Sequence, residues 1–156
     1  MIDAKNSNNM KDLDNTEPFE TRRIIYKFKN LPNWRFFPQK ERESIVEQIK
    51  EISKHNRGLG EFLSIPETSF EVDLQKVSHL YSNPELIGDE LHLDIKPLKT
   101  PNGIILNGLF WDDARLQLGL RGTGNFNRDD NRLIENYHLM AIDIIMEYMP
   151  DIPQTV

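Results

Sequence analysis

Hydroxyls and imidazoles come first, because a side-chain hydroxyl beside a base that takes its proton can attack a carbonyl carbon. Ser64, Ser69, Ser78 and Ser82 supply hydroxyls in the middle of the chain, and His55, His79, His92 and His138 supply imidazoles. Ser78 and His79 are adjacent, and strand alternation would send their side chains to opposite faces. A triad built from these groups stands against a plainer reading, surface or hydrogen-bonded residues, which we favour.

Metal and phosphate chemistry find less support. His92 and Asp94 are spaced to share a strand face, but no third ligand follows nearby, and structural zinc sites usually have four. There is no cysteine, hence no disulfide framework and no thiolate site. The run Asn127-Arg128-Asp129-Asp130-Asn131 has oxygen ligands but lacks the central glycine and closing glutamate of a calcium loop, so it reads as a solvated turn. Gly122 and Gly124 lack the helix start a phosphate loop needs; a turn requiring positive φ accounts for them better. We expect no cofactor and no metal.

The elements that must position these residues can be read from periodicity. Residues 1–19 are rich in Asn, Asp and Lys with few large apolar groups, so we expect a flexible arm. From Ile24, alternation places Ile24, Tyr26 and Phe28 on one face and Lys27 and Lys29 on the other, a half-buried strand. After Pro38, the spacing of Ile45, Val46, Ile49 and Ile52 predicts a helix with one apolar stripe. Glu41 and Glu43 early and Lys54 and His55 late suit its dipole, and Gly58 and Gly60 are expected to end it. Phe70 to Leu74 alternates as a strand would, and Val77 to Tyr81 continues it. Gly88-Asp89 between apolar runs reads as a tight hairpin. Thr100-Pro101 carries cap and first-turn chemistry for a short helix through Leu109. Arg115 to Arg121 is strand-like, Gly122 to Asn131 a polar connection, and Leu133 to Met146 either strand or helix. Trp34, Phe36 and Phe37 form an aromatic cluster, read as core or as an interface anchor.

Composition bounds the function. The 156 residues suit one domain, here 20–150, followed by a tail at 151–156. No apolar run approaches the roughly 20 residues of a membrane span, and the first fifteen residues lack the apolar stretch of a secretory signal. The net charge is −6 and the basic residues are dispersed among acids, which argues against nucleic-acid binding.

Four ordered segments carry a family resemblance: Trp34-Arg35-Phe36-Phe37-Pro38; Gly58-Leu59-Gly60-Glu61-Phe62; Val77-Ser78-His79 with the following hairpin and Leu98 to Gly103; and Leu116 to Gly124. Together they resemble the prohead core (capsid maturation) serine proteases of tailed phages. The resemblance implies an α+β fold, a mostly antiparallel β-barrel like that of herpesvirus assemblin, with one long helix and one or two short ones. It also implies action inside an assembling phage head, where family members use a Ser nucleophile, a His base and commonly an acidic third group.

Residue by residue, that match fails at the chemistry. The position matching the family's base falls in Phe62-Leu63-Ser64-Ile65-Pro66, at Ser64 or Ile65, and the nucleophile's position is Gly119. The Arg-Gly pair that follows the nucleophile survives as Arg121-Gly122, and Asp143 is a candidate acidic remnant once a one-residue gap is allowed. Glycine has no heteroatom, and neither Ser nor Ile accepts a proton near neutral pH. The expectation is therefore a pseudoprotease that binds protein through a groove near Gly60, Glu61, Phe62, Arg121 and Gly122, where an extended segment could add as a strand. Its implied partners are phage scaffold or capsid proteins, or the active protease, in the host cytoplasm and in the virion head; an oligomer is compatible. An active endopeptidase with a relocated triad and a recruited inhibitor of a host protein stay open as alternatives.

Overall fold

The computed structural model describes residues 17–28, 36–63 and 69–146. Trp34, Arg35, Ser64 and Ile65, residues 1–16 of the expected arm and the tail at 151–156 lie outside them. The element order is β1 (Arg22–Lys27), α1 (Gln39–Ser53), β2 (Leu59–Leu63), β3 (Val77–Ile87), β4 (Glu90–Pro97), α2 (Pro101–Trp111), β5 (Leu116–Phe126) and β6 (Ile134–Met146). The strands form one six-stranded sheet in the order β1-β4-β3-β2-β6-β5. All neighbours are antiparallel except β2 and β6.

Alternation builds the core. Along β4, Leu91, Leu93 and Ile95 are fully buried while the residues between them are half-buried or exposed. They meet Tyr26 and Phe28, Leu118 and Leu120 of β5, and Ile142 and Ile144 of β6 in one apolar cluster. Ile45, Val46 and Ile49 bring in the predicted stripe of α1, and Leu106 and Phe110 bring in α2. Phe37, fully buried, joins an edge-to-face aromatic chain that runs Tyr26, Phe28, Phe37, Tyr137 at centroid spacings of 5.2, 5.5 and 5.0 Å. The aromatic cluster before α1 is thus core at Phe37, with Phe36 half-buried beside it.

Local chemistry explains the helix starts and the hairpin. Thr100 Oγ1 accepts from Gly103 N at 3.1 Å with Pro101 at the first position, as the sequence indicates. Gly88, at φ +58°, makes the β3–β4 turn. α1 stops at Ser53 rather than running to the glycines; the left-handed residue after it is Asn56, at φ +53°. Gly58 instead marks a close approach, where an added Cβ would lie 2.5 Å from the Tyr81 carbonyl oxygen.

Other expectations are corrected. Phe70 to Leu74 is not a strand but a turn-rich loop between β2 and β3, with Phe70 and Leu74 exposed. β5 continues past Arg121 to Phe126, so the polar connection begins only at Asn127, where Asn127 Oδ1 accepts from the amides of Asp129 and Asp130. The last apolar stretch is strand β6. The expected barrel is an open sheet: its edges β1 and β5 come near one another but no ladder joins them. Phe110 and Ala114 stand at that seam with Arg22 and Leu116, around a cleft of about 420 Å³. Residues 17–19, counted with the flexible arm, lie along α2: Asn107 and Trp111 donate to the carbonyls of Glu17 and Pro18 at 3.3 and 3.0 Å.

The free edge of β6 explains two further side chains. β2 pairs with β6 only at Phe62↔Ile144 and Leu63↔Ile145, which leaves the first half of β6 without a strand on that side. α1 covers it. Glu41 Oε1 accepts from Tyr137 N at 3.0 Å, Gln48 Oε1 from Leu139 N at 2.8 Å, and Gln48 Nε2 donates to Tyr137 O at 2.8 Å. The side-chain amide stands in for a missing backbone partner, one way of blunting an edge strand. Glu41, read from sequence as a dipole residue, is a buried edge cap.

Candidate functional site

The chemistry-bearing residues converge where β2, β3, β5 and β6 meet. Glu61 (β2), Arg121 (β5) and Asp143 (β6) form a buried ion cluster, their side chains 1–3% exposed. Arg121 donates from Nη2 to Glu61 Oε2 at 2.6 Å and to Asp143 Oδ1 at 2.8 Å, and from Nε to Asp143 Oδ2 at 3.1 Å. This is the two-point geometry that suits a guanidinium and a carboxylate. The Glu61 amide completes it by donating to Asp143 Oδ1 at 3.1 Å.

One guanidinium faces two carboxylates here. Burial pushes Asp143 above its usual carboxylate range, only partly countered by its hydrogen bonds to Arg121. Burial also works against the Arg121 charge, but the hydrogen bonds and charges of Asp143 and Glu61 more than offset it, so Arg121 stays protonated. Spare donors and acceptors of the cluster reach outward. Arg121 Nη1 donates to Glu71 O at 2.9 Å, and Glu61 Oε2 accepts from Asp73 N at 3.1 Å, which ties the β2–β3 loop to the cluster.

Beside it lies a serine–histidine pair. Ser78 Oγ is 2.7 Å from His79 Nδ1, and His79 Nε2 is 2.8 Å from the Ile142 carbonyl oxygen. A carbonyl only accepts, so Nε2 carries the proton, and Nδ1 accepts from the serine hydroxyl. Both residues are 0% exposed. The expectation of opposite faces fails because β3 bulges here: Gly60 opposes His79 and Glu61 opposes Val77, leaving Ser78 unopposed. An extra residue breaks alternation and re-aims side chains. The imidazole crosses β2 at Gly60, where any Cβ would overlap both His79 Nε2 and the Ile142 oxygen. Burial pushes the imidazole down to about 4, so it is a weak base at neutral pH.

The remaining residues singled out from sequence are placed as follows. Gly119 opposes Asp143 in the β5–β6 ladder and is buried, and a Cβ built on it would lie 2.5 Å from Ile145 Cδ1. β6 separates it from Phe62, which opposes Ile144 and is half-buried. Gly122 is buried at a second bulge, with Tyr137 Oη 2.6 Å from where its Cβ would be. Gly60, Glu61, Arg121, Gly122 and Asp143 thus face protein, not solvent. His92 bonds Glu90 at 3.1 Å, and Asp94 bonds Arg23 and Asn83 at 3.0 Å each. Among the described residues no three His, Asp or Glu side chains converge as a metal site would require. Sequence reasoning named Glu61, Arg121 and Asp143 separately and missed that they form one cluster. It also missed the Ser78–His79 contact, for which a glycine at the opposing β2 position is the only local sign.

No family model matches the chain, and no curated protein matches it by sequence. Among solved structures, the bacteriophage T4 capsid assembly protease gp21 superposes with a TM-score of 0.62. The match covers 80% of this chain and 81% of that one at 16% identity. This mixed α+β chain, with its six-stranded sheet and two helices, has a fold similar to that phage protease.

Proposed function

We propose that this chain is a catalytically silent protein of the prohead-protease type, acting by protein contact in phage head assembly or capsid structure. Its partners would be scaffold or capsid proteins, or the active protease, met in the host cytoplasm during infection and in the virion head. The carrying observation is Gly119. At the position that matches the family's nucleophile there is no heteroatom, and the terminal methyl of Ile145 lies 2.5 Å from where a Cβ would stand. Acyl transfer requires an attacking group and a base that act as a unit, and losing one member forfeits most of the rate. Asp143, the candidate acidic remnant, is held by Arg121 rather than by an imidazole.

A second reading rests on Ser78 and His79, whose hydrogen bond has the polarity of a nucleophile donating to its base. Against it stand the enclosure of both groups and the depressed imidazole, since no substrate carbonyl reaches a residue that is 0% exposed. The two readings separate in one experiment. The purified chain is incubated with a serine-directed fluorophosphonate and, in parallel, with phage head proteins. The silent reading expects neither labelling nor cleavage. Labelling abolished by Ser78→Ala, or by any other single serine substitution, would overturn it in favour of the relocated triad.

A further inference from the structure

The β2–β3 loop displays the two most exposed large apolar side chains among the described residues, Phe70 at 64% and Leu74 at 72%. A floppy loop would fold such groups back or leave them averaging over many positions. Here the 70–76 segment is fixed from beneath. Its backbone bonds the buried cluster at Glu71 O and Asp73 N, to Arg121 and Glu61 respectively. It then turns on Asp73, which accepts from the Gln75 amide at 3.0 Å through its side chain and from the Lys76 amide at 2.9 Å through its carbonyl. Asn102 of α2 holds the far end at Lys76 O, 3.0 Å away. Two exposed carboxyl-bearing residues, Glu71 and Asp73, stand between the two apolar groups, and Lys76 lies outside that span.

We propose that Phe70 and Leu74 anchor a protein-docking surface whose partner offers an apolar pocket edged by Lys and Arg side chains. Large apolar groups gain most by leaving water, and a pre-ordered loop loses less conformational freedom when it binds. The carboxylates decide the partner's sign, because burying them against anything but cations costs affinity. The buried ion cluster thus has a surface consequence: it holds the anchors in register. The inference rests on the proposed function only in taking this chain to work by protein contact.

The test uses the full chain and a random peptide library. Selected peptides are expected to combine Lys or Arg with aromatic or aliphatic residues. Their affinity should fall at least about tenfold on Phe70→Ser/Leu74→Ser and on Glu71→Lys/Asp73→Asn, in which asparagine keeps the acceptor for the Gln75 amide, and should weaken as salt rises. The substituted residues are exposed, so the melting temperature should hold and a loss of binding is not a loss of fold. Four results would overturn the proposal: no selected binder, binders indifferent to both double variants, binders rich in Asp and Glu, or self-association by sedimentation that the Phe70→Ser/Leu74→Ser variant abolishes, which would make the occupant a second copy. Peptide hydrolysis would remove the proposed function without touching this result, and absent docking would leave catalytic silence intact.

Discussion

His79 crosses the bare backbone of Gly60 to donate from Nε2 to the Ile142 carbonyl, 2.8 Å away, and so bridges β3 to β6 over the strand between them. The imidazole is structural mortar between the strands. Its enclosure has a thermodynamic signature that does not depend on any assumed function.

Stability should fall with acid through this group. The unfolded imidazole takes a proton below about 6.5, the folded one only below about 4, held down by burial. The contribution is therefore present above pH 6.5 and lost as pH falls toward 4. At ~1.4 kcal/mol per pH unit it amounts to about 3 kcal/mol. Asp143 acts in the opposite sense: its carboxyl is raised, so its share of stability falls as pH rises through the acid range. Urea titrations of wild type and His79→Gln across this window isolate the histidine. The variant should lose most of the acid-side slope, and an unchanged slope would contradict the assignment.

Arg121→Met should cost about 3–5 kcal/mol, because it leaves Glu61 and Asp143 buried without a cation. Replacing all three residues by apolar ones should recover most of that loss, since a desolvated ion cluster gains little over good packing. Both variants should still loosen the loop. The Asp73 amide loses its bond to Glu61 in the triple variant and its rigid acceptor in the single one. Hydrogen exchange at Asp73 should therefore quicken in each, even where urea midpoints differ.

A hydroxyl added at position 119 should not create chemistry. Gly119→Ser displaces only the terminal methyl of Ile145 and should destabilise by about 1 kcal/mol, the low end of overpacking. Combined with Ile145→Ala, the two losses should sum to less than their parts by at least about 0.5 kcal/mol, as touching residues couple. Neither protein should react with a fluorophosphonate, because His79 commits both ring nitrogens, to Ser78 and to the Ile142 carbonyl, and His92 bonds Glu90. Labelling of Gly119→Ser would show that a base is at hand.

Local chemistry was legible in the sequence; long-range chemistry was not. Thr100-Pro101, the stripe of Ile45, Val46 and Ile49, and Gly88-Asp89 declare their elements because the deciding contacts lie within a few residues. Phe70 to Leu74 alternates as convincingly as a strand, yet its backbone partners are the side chains of Glu61 and Arg121, which no periodicity encodes. The ion cluster joins residues 60 and 22 positions apart, so each charge looked like an ordinary strand residue. The family resemblance pointed to the fold that the structure shares with the T4 protease, but it implied a closed barrel where the sheet stays open.

The edge of β6 supplies a last expectation. Gln48 presents its amide to Tyr137 O and Leu139 N, each at 2.8 Å, much as a neighbouring strand would. Glutamate at this position could still accept from Leu139 N but would set a carboxylate against the Tyr137 carbonyl, whereas methionine fills similar space and bonds neither. Gln48→Met should thus cost about 1–3 kcal/mol through two backbone groups left unmet, and Gln48→Glu should be comparably destabilising near neutral pH. The Leu139 amide should exchange much faster in Gln48→Met than in Gln48→Glu, while the Tyr137 amide, held by Glu41 at 3.0 Å, should stay protected in both. If both amides open together, the helix as a whole rather than the glutamine guards this edge.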